Sequence, residues 1–315
     1  MKIEVTSKLH HKYCGALFGL ACGDALGTTN ASKPPGSFER LTDMVGGGPF
    51  NLQPGQWSDG TSMALCLGES LVNCRGFDAN DQMQGYLRWW QDGHMSARGY
   101  CFDISKTVGT ALTTYKKTGN PFAGSVDASA ASIGSLIRLA PVPLAYRMYP
   151  ELAIYYAGGS SRTTHGAAAA VDACRYYAAL ILGALDDRAK AELLSPNFYQ
   201  GALSPEIREI ADGSFKDKNP PAIAGTDYVA RALEASLWAF YRSSSFEKGA
   251  LLAANLGDNS DTTASVFGQL AGCYYGSEAI PQHWLNKLAM RETISTLADN
   301  LLALSESLAP TSASR

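Results

Sequence analysis

The sequence predicts an all-α fold, and three observations carry that prediction. Apolar residues recur at helical spacing through most of the chain, period-two Val and Ile runs are scarce, and glycines four residues apart form stripes near both ends. The 315 residues, 46% hydrophobic and 17% charged, suffice for a large core, and no composition break divides them. One domain over residues 1–315 is therefore expected, with the polar segment 310–315 as a disordered tail.

The first helix is KYCGALFGLACGDAL (12–26), where Leu17, Leu20 and Ala21 share one face and Gly15, Gly19 and Gly23 another. Each glycine inside a helix costs about 1 kcal/mol relative to alanine. Three on one stripe predict a close backbone approach, by the geometry that small-xxx-small motifs use in membranes. Near the other end, QLAGCYYG repeats the spacing with Gly268, Gly272 and Gly276, so these two helices are expected deep in one bundle. Between and after them, helical periodicity covers 63–72, 81–92, 104–115, 168–185, 228–241, 247–255 and 284–308. The long exceptions are 28–57, punctuated by PPGS, GGGPF and QPGQ, and 119–134. Long structureless loops in a compact fold tend to bind or cover ligands.

Composition removes several function classes. A net charge of -3 without any Lys/Arg block lacks the footprint of a nucleic-acid binder. The seven cysteines are odd in number, scattered, and form no CxxC pair, which argues against a zinc knuckle or a disulfide framework and for a reducing, cytoplasmic setting. The apolar run 13–22 is too short to span a bilayer. Neither a membrane partner nor any particular oligomeric state is indicated.

Four places put side-chain oxygens beside a helix end: Asp24, then Ser58-Asp59-Gly60-Thr61, then SSRTTH (160–165), then Asp258 to Thr263. Taken alone, Ser58 or Asp59 ahead of an apolar run reads as a helix N-cap, and His165 as a hydrogen-bonded histidine. Gathered in one place, Asp59 and Asp261 are the obvious pair for Mg2+, a hard cation that takes about six oxygens.

The segments GALFGLACGDALG (15–27), KPPGSFERLTDMVGGGPFNLQPGQWSDGTSMALCLGESL (33–71), GSLIRLAPVPLAY (134–146), SSRTTHGAAAAVDACRYY (160–177) and NLGDNSDTTASVFGQLAGCYYG (255–276) occur in order. Through them the chain resembles the ADP-ribosylglycohydrolase family, the dinitrogenase-reductase-activating and ADP-ribosyl-acceptor hydrolases, from about residue 12 to 302. The resemblance implies an orthogonal helical bundle whose central cleft holds two Mg2+ ions and hydrolyses the bond between ADP-ribose and a modified side chain. Residue by residue, it implies metal ligands at Ser58, Asp59, Asp261 and Thr262, with Asp59 and Asp261 acting in catalysis. Gly134, Ser135 and His165 match the substrate-binding positions.

Three expected acids are replaced. Gly60 stands in the Thr/Ser-Asp-Asp segment, Asn259 in the Asp-x-Asp-Thr/Ser segment, and Ala31 where the family usually has glutamate. The loop that reads Gly-Asn-Gly-Ser in the family is Ser132-Ile133-Gly134-Ser135 here, and Phe-Asp-Ile-Gly is Phe102-Asp103-Ile104-Ser105, a pattern of drift across the site. Asp172 and Arg175 are kept beside His165 in sequence. Two carboxylates do not offset two Mg2+ ions, so at most one ion is expected. The leading expectation is thus an impaired hydrolase that still binds ADP-ribose or an ADP-ribosylated protein. The alternatives are an active Mg2+-dependent hydrolase with a rearranged set, in which Asp24 or Asp258 substitutes, and a structural or inhibitory module presenting Trp89-Trp90 and the loop 36–57.

Overall fold

The computed structural model describes residues 2–309, so the expected tail 310–315 lies outside the described residues. In chain order the helices are α1 (Lys2–Gly27), α2 (Asp59–Asn73), α3 (Ala79–Asp92), α4 (Lys106–Thr118), α5 (Pro141–Ala145), α6 (Pro150–Arg162) and α7 (Ala168–Leu185). They continue with α8 (Lys190–Leu193), α9 (Pro205–Ala211), α10 (Val229–Arg242), α11 (Phe246–Ala254), α12 (Ser260–Tyr275), α13 (Gln282–Lys287) and α14 (Arg291–Leu308). The β pairing among the described residues is confined to isolated bridges, in agreement with the all-α expectation.

The glycine stripes explain the centre of the molecule. α1 and α12 run antiparallel with their backbones touching: a Cβ at Gly15 would lie 2.1 Å from the Gly272 carbonyl oxygen, one at Gly19 2.2 Å from Gly268 O, and one at Gly23 2.0 Å from Ala264 O. No side chain larger than hydrogen fits these positions, which is why the sequence accepts the helix-propensity cost of glycine there. Gly276 departs from the expected stripe. It caps α12 at φ 81°, outside the helix.

Other expectations need correction. The helix expected over 284–308 is broken in two, with Met290 at φ 51° between α13 and α14. The backbone of the long loop occupies the break: Ala289 N donates to Gly55 O at 2.9 Å, and Trp57 Nε1 donates to Ala289 O at 3.2 Å. Helix α6 lies where no helix was expected, because its GGSS sequence hides the helical pattern. Trp57 and Trp89 are buried core residues, so they present no binding surface. α7 is long and apolar enough to cross a membrane, but most of it is buried within the bundle. All seven cysteines are unpaired.

Candidate active site

The register of α1 against α12 places the site. It sets the C-terminal end of α1 beside the N-terminal end of α12, where Ser260 Oγ donates to Gly27 O at 2.8 Å. From this junction Asp24 reaches the start of α2. One carboxylate oxygen accepts from Ser58 N at 3.0 Å and Ser58 Oγ at 2.7 Å, the other from Thr61 N at 3.0 Å and Thr61 Oγ1 at 2.6 Å. Ser58 therefore does not cap α2 with its own oxygen, as the sequence suggested. The capping oxygens come from Asp24 on another helix, and the Ser58 hydroxyl is a donor turned away from the cleft.

Around this junction a cleft opens, lined by Asp59, Asp103, Asp227, Asp258, Asn259, Asp261 and Thr262, with Ala31, Phe50, Gly134 and Ile137 completing the wall. Its enclosed floor is about 120 Å³. That is well below the several hundred Å³ of a typical small-molecule pocket, so the floor has room only for the reacting end of a dinucleotide-sized ligand. Asp59 begins α2, Asp103 precedes α4, Asp227 precedes α10 and Asp261 lies in the first turn of α12, so the acids sit near the positive ends of four helices.

Those dipoles do not cancel the repulsion. No lysine or arginine is among the described residues lining the cleft. Burial, followed by the charges of Asp103, Asp24 and Asp261, pushes Asp59 well above the usual carboxylate range. Burial, then Asp261 and Asp24, raise Asp103 to about 8, and burial with Asp24 raises Asp261 to about 7. Asp24 is also raised by burial, against the pull of its four hydrogen bonds. Asp261 is held in place by the Thr262 amide, which donates to Oδ1 at 2.8 Å.

The structure thus brings together Asp59, Asp261, Thr262 and Gly134, as the sequence suggested, and revises the count of acids. Two carboxylates were expected, yet five aspartates line the cleft and Asp24 lies behind them. Asp103 had a signal, since it belongs to the Phe-Asp-Ile segment; it sits at φ 60°, a left-handed turn that aspartate tolerates. Asp227 had none beyond standing just ahead of a helix.

Gly60 lies under the Ile137 side chain. A Cβ there would lie 3.1 Å from Ile137 Cδ1 and 3.5 Å from Asp24 Oδ2, so the neighbouring isoleucine crowds the place an added carboxylate would need. Ala31 lines the cleft without an oxygen, and Asn259 lines it as a neutral side chain.

Ser135 and His165, expected to touch substrate, do not line the cleft. Ser135 is buried and its hydroxyl accepts from Ser161 Oγ at 2.8 Å. His165 is fully buried behind Gly134, between Thr164 Oγ1 at 2.7 Å and Ser132 Oγ at 2.9 Å. Asp172 and Arg175 pair at 3.2 Å outside the cleft, and Asp172 accepts from Ser204 N, fixing the approach to α9.

The family model described as ADP-ribosylglycohydrolase matches residues 5–310. The chain belongs to the ADP-ribosylglycohydrolase family. Among its relatives, the ADP-ribosylarginine hydrolase Tri1 of Pseudomonas putida (strain GB-1) is 40% identical over 287 residues, covering 91% of this chain and 76% of that protein. The ADP-ribosyl-[dinitrogen reductase] glycohydrolase of Rhodospirillum rubrum is 28% identical over 302 residues, covering 94% of this chain and 97% of its own. A solved structure described as an ADP-ribosylglycohydrolase-related protein complex superposes with a TM-score of 0.86 at 42% identity, covering 95% of this chain and 99% of that one. In this family member the acid-lined cleft brings together residues of three of the matching segments, at Asp59, at Gly134 and Ile137, and at Asp258, Asn259, Asp261 and Thr262.

Proposed function

We propose that this ADP-ribosylglycohydrolase works as a single cytoplasmic domain that binds ADP-ribose, free or attached to a protein side chain, in the acid-lined cleft around one Mg2+ ion. The carrying observation is the cluster of five aspartates around the buried Asp59 and Asp261, with no lysine or arginine on the cleft lining. Such a donor set, all hard oxygen, fits one hard cation. Asp59, Asp103 and Asp261 would hold it, with Thr262 beside them. A second ion lacks support, since Ala31 and Gly60 offer no side-chain oxygen and Ile137 closes on Gly60.

When bound, the ion supplies positive charge at the reacting oxygens and lowers the pKa of water. The chain's own groups do the rest. Burial and mutual repulsion raise Asp103 and Asp261 to about 8 and about 7 without the ion, and both must give up those protons to hold it, so ion binding releases protons near neutral pH. Asn259 at the cleft wall can orient substrate through its amide without adding charge. With Ala31, Gly60 and Asn259 at positions where the resembled family carries acids, the expected turnover is slower than in the named arginine hydrolases. Every 1.36 kcal/mol of lost transition-state stabilisation is a factor of ten.

The presence of Asp103 and Asp258 favours a second reading, full turnover on a rearranged acid set. One assay separates the two: release of ADP-ribose from ADP-ribosyl-arginine, with Mg2+ or EDTA, beside the Pseudomonas putida relative. Slow release abolished by EDTA supports the first reading, and release matching the relative supports the second. Absence of both ADP-ribose release and ADP-ribose binding in isothermal titration overturns both.

A further inference from the structure

We propose that His165 is a positioning residue, a neutral imidazole oriented by Arg138 through Thr164, which holds Ser132 and the turn Ile133–Ser135 as one wall of the cleft. The first part of the inference concerns the buried chain of hydrogen bonds alone. Only the ligand arm of its test rests on the cleft binding ADP-ribose.

Arg138 is fully buried, and none of the described residues offers it a carboxylate. Its guanidinium stands 4.5 Å over the Tyr86 ring, and Nη2 donates to Thr164 Oγ1 at 2.7 Å, Thr163 Oγ1 at 3.3 Å and Ser160 O at 3.3 Å. A guanidinium can only donate, so Thr164 Oγ1 accepts. The hydroxyl proton of Thr164 then finds its acceptor at His165 Nδ1, 2.7 Å away. A neutral imidazole carries one donor and one acceptor nitrogen. Nε2–H must therefore donate to Ser132 Oγ at 2.9 Å, and the Ser132 proton goes on to Thr107 Oγ1 at 3.3 Å. In this direction each proton from Arg138 Nη2 to the Ser132 hydroxyl has an acceptor.

Burial, with the charge of Arg138 beside it, lowers the His165 pKa to about 3, so the ring stays neutral wherever the protein is folded. The wall rests on that ring. A Cβ at Gly134 would lie 2.8 Å from His165 Cε1 and 3.0 Å from Nε2, so glycine is needed for the turn to lie against the imidazole. Ser132 supplies the hydroxyl that takes up Nε2–H. A histidine satisfied on both nitrogens and shut off from the cleft acts through the wall it supports.

Long-range 1H–15N spectra of the full-length protein between about pH 5 and about pH 8 test this directly. The expected result is a neutral, Nε2-protonated His165 at every pH. Titration near the ordinary value of about 6.5, or protonation at Nδ1, overturns the proposal. A paired comparison adds the positioning role. Thr164→Ser should retain the tautomer and ADP-ribose affinity, whereas Thr164→Val should lose the tautomer preference and weaken ADP-ribose binding by roughly threefold to tenfold, as for one lost hydrogen bond. An unchanged tautomer in Thr164→Val removes the relay, and unchanged affinity with a changed tautomer removes the positioning role. If wild type neither releases nor binds ADP-ribose, the proposed function fails, while the imidazole spectra still decide the relay.

Discussion

Asp24 near the end of α1 and Thr61 in the first turn of α2 form the tightest junction of the cleft. One carboxylate oxygen accepts both the Thr61 amide at 3.0 Å and the Thr61 hydroxyl at 2.6 Å. Asp24 is thus a structural acid, while the nearby Asp103 accepts no such set of donors and is raised by burial and by the charges of Asp261 and Asp24. The two should respond to the same substitution with opposite signs.

Asp24→Asn leaves one acceptor oxygen for four donors and should destabilise the protein by about 1–3 kcal/mol in urea unfolding. Asp103→Asn keeps a residue that tolerates φ 60° and removes a buried charge, so it should raise the melting temperature in EDTA at pH about 8 while reducing the response to Mg2+. Equal loss of stability in both variants would contradict the division of roles between these acids.

The same acids predict how stability depends on pH. Folded Asp103 and Asp261 keep their protons up to about 8 and about 7, whereas unfolded aspartates release them near 3.9. Between those limits the native state binds more protons than the unfolded state, so unfolding free energy falls as pH rises. In EDTA the melting temperature should drop between about pH 5 and about pH 8. Mg2+ should recover more of it at the higher pH, because ligating carboxylates must be deprotonated. A flat profile in EDTA would show that the acids are not held as close together as described.

Packing of α1 on α12 predicts a steep cost for the smallest possible enlargement. In Gly268→Ala the new methyl would sit 1.9 Å from Gly19 O, and backbone cannot move aside as a flexible side chain can. Overpacking typically costs about 1–3 kcal/mol. Urea midpoints should fall accordingly, and Mg2+ binding should weaken with them, since this contact sets Asp261 beside Asp24. A loss under about 0.5 kcal/mol would mean the helices can separate at little expense.

Restoring Gly60→Asp alone should raise hydrolysis little, because Ile137 lies 3.1 Å from where its Cβ would be. Pairing it with Ile137→Ala should increase ADP-ribose release on the order of tenfold over the single variant, the return of about 1.4 kcal/mol of charge stabilisation. Equal rates in single and double variants would exonerate Ile137.

Much was legible along the chain. The glycine spacing foretold the central helix pair, and the motif segments located Asp59, Asp261, Thr262 and Gly134. Ser58, Ser135 and His165 were expected at the ligand and stand off the cleft lining, because a short polar side chain beside a helix end has the same sequence signature whether it faces a cleft or a neighbouring helix. Helix α6 and the break before α14 were missed for a related reason: a GGSS segment weakens the local pattern, and the partner that stabilises the break, Gly55, is far away in sequence.

The sequence by itself determined the all-α class and the family, since helical periodicity and motif identity are properties of neighbours along the chain. Only the tertiary structure decided how many carboxylates share the cleft and which of them are already hydrogen-bonded. Asp103, Asp227 and Asp258 come from separate loops, and charge repulsion depends on distance through space, which the backbone contact of α1 with α12 establishes.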